Sequence, residues 1–120
     1  MLDYKKLKNS ELSPWPKLTE LPFVKVISGD PQHQGRHDVG GFTSRLQVGV
    51  WECTPGTFEY TYPGDEICTI VSGNIDITDS QGDVHTFSAG DTFFTEQGET
   101  VTWQINETVR KVFQIHNKDV

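Results

Sequence analysis

The sequence lacks most features of secreted, membrane-spanning or nucleic-acid-binding proteins. It has no signal-peptide-like apolar stretch near its start and no run of about 18 apolar residues, the length a transmembrane helix needs. Its only cysteines, Cys53 and Cys68, favour two reduced, buried thiols over a disulfide. Acidic residues outnumber basic ones by 17 to 10, and the net charge of −7 disfavours nucleic acid or an anionic membrane as a partner. We therefore expect a cytoplasmic protein.

Helical periodicity is also missing. After residue 40, no segment combines a 3.6-residue hydrophobic repeat with capping residues. Short alternating runs are present instead, such as Leu46, Val48 and Val50, and turn signals such as residues 79–83 separate them at close spacing. This pattern predicts an all-β, antiparallel barrel or double-sheet roll.

The first 40 residues differ from the rest in their proline content. They carry four of the six prolines, and proline cannot donate to a β-ladder. We therefore predict two parts: an extended N-terminal arm over residues 1–40, packed on the barrel or on a partner subunit, and a barrel domain over residues 41–120.

Several segments between residues 41 and 116 follow one another in an order that resembles the cupins. Residues 49–56 precede an aromatic strand, and Glu66 and Gly73, with six residues between them, resemble the end of the first cupin motif. Residues 87–93 resemble the start of the second motif. The tail is similar to that of (S)-ureidoglycine aminohydrolase-like and ethanolamine-utilisation-protein-like small single-domain cupins. The resemblance implies a jelly-roll barrel that forms a homodimer through edge strands or its N-terminal arm.

The resemblance also implies a metal site of three histidines and one glutamate. Counting along the motifs places Tyr60, Tyr62 and Val101 at the histidine positions, so Glu66 is the only ligand retained. Phenols with a pKa near 10 beside a single carboxylate suit a divalent ion poorly. We therefore expect no cofactor. A divalent transition metal would need ligands from outside the motif, with His85 as a weak candidate or a histidine of the arm.

Glu66 is the centre of the predicted ligand site. By strand alternation Tyr60, Tyr62 and Trp103 line the same cavity, and Cys68, two residues beyond Glu66, points the same way. Aromatic walls around a carboxylate suit a small organic ligand, including a cation held over a ring. The same aromatics could instead fill the barrel and close it, so both interpretations stay open.

The remaining ionisable residues give weaker signals. His33 and His37 are four residues apart, but the intervening Gly35 argues against a helix, so we predict solvated loop histidines. Arg110 and Lys111 should point to opposite faces of the last strand. An inward-facing cation there would pair with Glu66 or hold a substrate carboxylate.

Three functions are compatible with these residues. The favoured hypothesis is a cupin that binds a small molecule without a tightly bound catalytic metal. The first alternative is a metal-dependent enzyme acting on a small nitrogenous or carbohydrate-derived substrate, as in ureidoglycine aminohydrolases. The second is a dimeric interaction module with a packed barrel. An open cavity around Glu66 would favour the first of the three.

Overall fold

The computed structural model describes residues 1–5 and 10–120, and nearly all regular structure in them is β-strand. The only helical element in these ranges is a single 3-10 turn, Leu18–Glu20. The all-β prediction is therefore confirmed. The strands are β1 (Ser13–Pro14), β2 (Val24–Gly29), β3 (His33–Val39), β4 (Leu46–Cys53), β5 (Gly56–Thr61), β6 (Asp65–Thr78), β7 (Val84–Ser88), β8 (Thr92–Thr95) and β9 (Thr100–His116).

Two long strands, β6 and β9, pair with each other along most of their length and connect two curled sheets. The second half of β9 lies between β4 and the first half of β6, while its first half lies between β5 and the second half of β6. Strands β3 and β1 extend one sheet beyond β4, and β8 borders it on β6. Strands β2 and β7 border the other sheet. All these pairings are antiparallel, as the jelly-roll prediction requires.

The two long strands pass from one sheet to the other at a set of register shifts between Ile70 and Ile75. Gly73 lies there with a φ of 97°, in the left-handed region that favours glycine. A Cβ at this position would overlap the carbonyl oxygen of Thr108 on β9. The glycine that closes the first motif therefore permits the bend that turns two sheets into a barrel.

Much of the predicted arm lies against the barrel of its own chain. Strands β2 and β3 pair with β5 and β4, and β1 pairs with β3. Further towards the N-terminus, the Tyr4 hydroxyl donates to Asp38 Oδ2 at 2.9 Å, and Arg110 Nη1 donates to the Ser10 carbonyl at 2.8 Å. Tyr4 and Ser10 thus contact the outer face of the sheet that contains β3, β4 and β9.

The core between the sheets is built mainly from β4, β5, β6 and β9. Cys53 and Cys68 belong to it as free thiols, as predicted, and burial raises the pKa of each to about 12. No helix in the described part of the chain is long and apolar enough to cross a membrane. The largest fully buried side chains are Trp103, Tyr62, Ile70, Ile75, Val50, Val101, Val109 and Cys53.

Candidate functional site

A cavity of about 260 Å³ lies inside the barrel, with predominantly aromatic walls. Strands β3, β4, β5 and β9 turn alternate side chains towards it, and residues of the arm cover one side. All three tryptophans of the chain line it. The ring-bearing residues of its wall are Trp15, Phe23, His33, His37, Phe42, Trp51, Phe58, Tyr60, Trp103 and Phe113.

Two buried charges of opposite sign, Glu66 on β6 and Lys111 on β9, face this cavity. Lys111 Nζ lies 2.5 Å from Glu66 Oε2, and the two residues are only 5% and 2% exposed. Removing either charge from water is costly, so each makes the burial of the other tolerable. Alternation places Lys111 on the same face as Val109 and Phe113, both buried, and this pattern identifies it as the inward cation.

The ammonium of Lys111 lies over aromatic rings. Its Nζ is 4.8 Å from the ring centre of Trp51, 5.0 Å from that of Trp103 and 5.8 Å from that of Phe113. Ring faces attract cations at such distances, more strongly where water is excluded. The Glu66–Lys111 ion pair thus lies at the wall of a cavity that is otherwise lined largely by aromatic rings.

The Glu66–Lys111 pair keeps unused hydrogen-bonding capacity. An ammonium has three donors, and Lys111 donates to one acceptor among the described residues, Glu66 Oε2. The second carboxylate oxygen, Oε1, has no partner among the same residues. Both side chains line the cavity, so a ligand there meets a free donor beside a free acceptor.

The five residues predicted to line the site occupy two positions relative to the cavity. Tyr60, Glu66 and Trp103 are in its wall. Tyr62 and Cys68 are buried but do not belong to that wall.

The two tyrosines at the motif's histidine positions are neighbours. The ring centres of Tyr60 and Tyr62 are 4.4 Å apart, and Trp103 Nε1 donates to the Tyr62 hydroxyl at 3.3 Å. Burial, and secondly the charge of Glu66, raises the pKa of both phenols well above its usual value. Both therefore remain neutral, and neither provides an anionic oxygen beside Glu66.

Cys68 is a poor candidate for a nucleophile. Burial raises the pKa of its thiol to about 12, although the nearby charge of Lys111 partly opposes the shift. The thiolate is the nucleophilic form of cysteine, so Cys68 is a poor nucleophile in the folded protein.

The prediction that His33 and His37 are solvated loop residues is wrong. Both lie in β3, are half-buried and line the cavity. Gly35, which argued against a helix, is a residue of strand β3 whose hydrogen faces the Trp15 ring, where a Cβ would overlap the indole. The glycine makes room for a tertiary contact, and the local sequence carries no signal for that.

The tautomer of His33 is fixed by its two neighbours. The Trp51 indole, which can only donate, gives its Nε1–H to His33 Nδ1 at 3.0 Å. The other ring nitrogen, Nε2, therefore carries the proton and donates to the Pro16 carbonyl at 2.5 Å. Burial lowers the pKa of His33, which agrees with this neutral form. Neither nitrogen has a lone pair left for a metal.

His37 is held differently. Gln47 Nε2 donates to the carbonyls of Phe42 and Ser44, both at 3.3 Å, so Gln47 Oε1 must accept, and His37 Nε2 donates to it at 3.1 Å. The other ring nitrogen, Nδ1, has no hydrogen-bond partner among the described residues. The imidazole stacks on Trp15, with ring centres 5.1 Å apart.

The donor set around the cavity does not fit a cupin metal centre. In residues 1–5 and 10–120, no cluster of three or more histidine, cysteine, aspartate or glutamate side chains could hold an ion. Glu66 is already bound by an ammonium. His85, the weak candidate for a metal ligand, is exposed on β7 and hydrogen-bonds to Asp79 Oδ2 at 2.8 Å. It does not belong to the wall of the cavity.

Arg110 and Lys111 do face opposite ways, as predicted. The guanidinium of Arg110 points outward, with Nε and Nη2 each 2.9 Å from Glu52 Oε2, and it also contacts Ser10. Lys111 is therefore the inward cation that pairs with Glu66.

Two curled antiparallel sheets, joined by long shared strands around a central cavity, define the cupin class of β-barrel. The family model of the EutQ-like cupin domain matches residues 40–113, and the chain belongs to this family. No curated protein has a sequence significantly similar to that of this chain.

Solved structures of relatives have the same fold. The EutQ protein of Clostridium difficile is 21% identical, with a TM-score of 0.72 over 96% of this chain and 86% of that one. A DUF861-family protein of unknown function from Pseudomonas syringae is 26% identical, with a TM-score of 0.76. That match covers 90% of this chain and 45% of the other. A putative ethanolamine utilisation protein from Salmonella typhimurium is 20% identical, with a TM-score of 0.62 over 72% and 70% of the two chains.

Proposed function

We propose that this cupin binds a small organic molecule in its barrel cavity and does so without a tightly bound catalytic metal. The observation that carries the proposal is the Glu66–Lys111 pair, buried beneath aromatic rings at the wall of a 260 Å³ cavity. Small-molecule sites are typically concave and largely apolar, with a few convergent polar groups that fix orientation.

The volume of the cavity supports binding over a packed barrel. At about 260 Å³ the cavity is far larger than the space that a single buried water molecule needs. It lies near the lower end of ligand pockets, which favours a compact molecule over an extended one. The alternative of an interaction module with a closed barrel lacks this support.

The absence of a metal cofactor is a part of the proposal that rests on donor chemistry. A resident metal would have to displace the Lys111 ammonium from Glu66. Its other ligands would have to come from neutral phenols, from His33, whose two ring nitrogens are both engaged, and from His37, whose Nδ1 is the one unengaged histidine nitrogen in the described wall. The alternative of a metal-dependent enzyme needs ligands that the described residues do not bring together.

The partner and location predictions extend the proposal. We expect a homodimer, and exposed Ile67 and Phe94, directly opposite each other on β6 and the border strand β8, offer an apolar surface for it. The acidic surface argues against nucleic acid and anionic membranes, and the two free thiols agree with a cytoplasmic location.

A fragment screen observed through the tryptophan indole N–H signals tests the binding proposal. Because Trp15, Trp51 and Trp103 all line the cavity, an occupant should shift their NMR resonances in a saturable way. Elemental analysis of protein purified without an affinity tag or chelator should find metal far below stoichiometry. A stoichiometric transition metal that is lost on Glu66→Gln would contradict the metal-free part.

A matched pair of variants controls the screen. Leu21→Trp adds bulk to the wall of the cavity and should abolish binding while the protein still unfolds cooperatively. Val84→Trp adds comparable bulk on β7 outside the cavity, where Val84 is 64% exposed, and should leave binding intact. Equal binding by both variants would place the ligand outside the barrel.

A further inference from the structure

The inference concerns the chemical class of the ligand and rests on the proposed binding function. The cavity contains one anion and one cation, and they neutralise each other at an Nζ–Oε2 distance of 2.5 Å. Of its other polar groups, the phenol of Tyr60 and the imidazole of His33 are neutral because burial raises the pKa of one and lowers that of the other. Gln47 and Asn117 carry no charge, and the His37 ring is hydrogen-bonded to the Gln47 amide oxygen. The carboxylate and the ammonium that line the cavity are therefore already paired with each other.

A charged ligand would disturb this balance. A carboxylate could approach Lys111 only in competition with Glu66, and an ammonium or amidinium could approach Glu66 only in competition with Lys111. In either case one buried charge loses its partner in surroundings where an unpaired charge is costly. A neutral ligand leaves the Glu66–Lys111 pair undisturbed.

The unused atoms of the pair define what a neutral ligand should present. Lys111 has N–H donors that are not engaged with Glu66, and Glu66 has a free acceptor in Oε1. The free acceptor Oε1 belongs to the same carboxylate as Oε2, which is 2.5 Å from Nζ, so donor and acceptor are neighbours. A carboxamide or lactam has the complementary arrangement, because its carbonyl oxygen and its N–H are attached to the same carbon.

The walls favour a flat body for the rest of the molecule. The Trp51 and Trp103 rings meet edge to face, with centres 5.6 Å apart, next to the pair. Elsewhere in the wall, Trp15 stacks on His37. Aromatic faces recognise planar rings by stacking or by edge contacts.

We infer that the cavity takes a neutral, planar compound bearing a carboxamide or lactam, which bridges Lys111 Nζ and Glu66 Oε1 while its ring lies among the tryptophans. The carbonyl oxygen accepts from Lys111, and the amide N–H donates to Glu66. The Glu66–Lys111 contact is kept in the complex.

Four probes of nearly the same shape test this inference: benzamide, benzoate, benzamidinium and acetophenone. Their dissociation constants would be measured by titration of the indole N–H signals. We expect benzamide to bind about tenfold or more tightly than either ion, a difference of about 1.4 kcal/mol. Acetophenone should fall between, because it keeps the acceptor and lacks the donor. Binding of either ion as tight as that of benzamide, or equal binding of acetophenone and benzamide, would overturn the inference.

Two substitutions should reverse the preference in opposite directions. Glu66→Gln leaves Lys111 as the only charge, so benzoate should become the preferred probe. Lys111→Met leaves the carboxylate alone, so benzamidinium should become preferred if the variant folds. As a control, Asp65→Asn with Lys118→Met removes an exposed pair of 3.3 Å and should leave the order of the probes unchanged. An unchanged order in Glu66→Gln would overturn the inference.

The probes also separate this inference from the broader proposal. Failure of all four, while other fragments from the screen shift the tryptophan signals, would reject the carboxamide class and leave small-molecule binding standing. Failure of the probes and of every fragment would reject both.

Discussion

Two consecutive cations on β9 differ in almost everything except their charge. Arg110 faces outward, where its guanidinium bonds to Glu52 and reaches the N-terminal arm at Ser10. Lys111 faces inward, where its ammonium has one acceptor among the described residues and otherwise meets aromatic rings. The planar guanidinium of Arg110 makes several hydrogen bonds at once and thereby links β4 to the N-terminal arm. Lys111 leaves donors free at the wall of a cavity, as a binding site requires.

The two ion pairs also differ in their access to water. Arg110 and Glu52 have side chains that are 8% and 24% exposed, so water partly solvates the carboxylate if the cation is lost. Glu66 is 2% exposed and has no such relief. Loss of the Lys111 charge should therefore destabilise the protein more than loss of the Arg110 charge.

The largest effect is expected from Lys111→Met. The substitution leaves Glu66 buried without its partner, and breaking a buried pair in this way typically costs about 3–5 kcal/mol of unfolding free energy. Urea denaturation would measure it. Adding Glu66→Met should restore most of the loss, because two apolar side chains of similar length then replace the pair. A double variant no more stable than the single one would show that the pair is not the cause.

A smaller effect is expected from Arg110→Met. Loss of the charge-assisted hydrogen bonds to Glu52 and to Ser10 should cost about 1–3 kcal/mol in the same measurement. Limited proteolysis should cleave the first residues faster, since their attachment to the barrel is weakened. Ligand binding should be unaffected because Arg110 is on the other face of the strand. Impaired binding would contradict the division of roles between the two cations.

The smallest effect concerns His33 and pH. Burial lowers its pKa, so the folded protein keeps the neutral ring at a pH where the unfolded chain has begun to bind a proton. Stability should therefore be fully present above the ordinary histidine pKa of about 6.5 and should decline as the pH falls below it. His33→Asn retains an acceptor for the Trp51 indole and cannot titrate, so part of this decline should vanish. Parallel pH profiles of the two proteins would refute the assignment.

The fold was largely predictable from the sequence, because strand alternation and turn residues are local signals that the tertiary structure did not override. Alternation also indicated that Lys111 points inward, because Val109 and Phe113, two residues before and after it on the strand, are apolar and are buried in the structure. What could not be predicted depends on distant contacts. Gly35 packs against the Trp15 ring, which is distant in the sequence. Without knowledge of that contact, nothing indicated that His33 and His37, on either side of the glycine, line the cavity.

The pairing of Glu66 illustrates the same limit. Comparison with the motif identified it as the retained ligand of a missing metal, and the sequence alone left open which charge would accompany it. Lys111 is 45 residues away along the chain and meets it only after β6 and β9 have paired. The partner of a buried charge is thus a property of the strand register, which single-sequence patterns specify weakly.

The central position of β9 has a consequence for biosynthesis. This strand pairs with β4, β5 and β6 and is shared by both sheets, yet all three partners precede it in the chain. While the ribosome is still making residues 100–116, neither sheet can close, and the waiting strands expose edges that other chains could join. We expect the barrel to form only after β9 has emerged, so the nascent protein depends more on protection from aggregation than its small size would suggest.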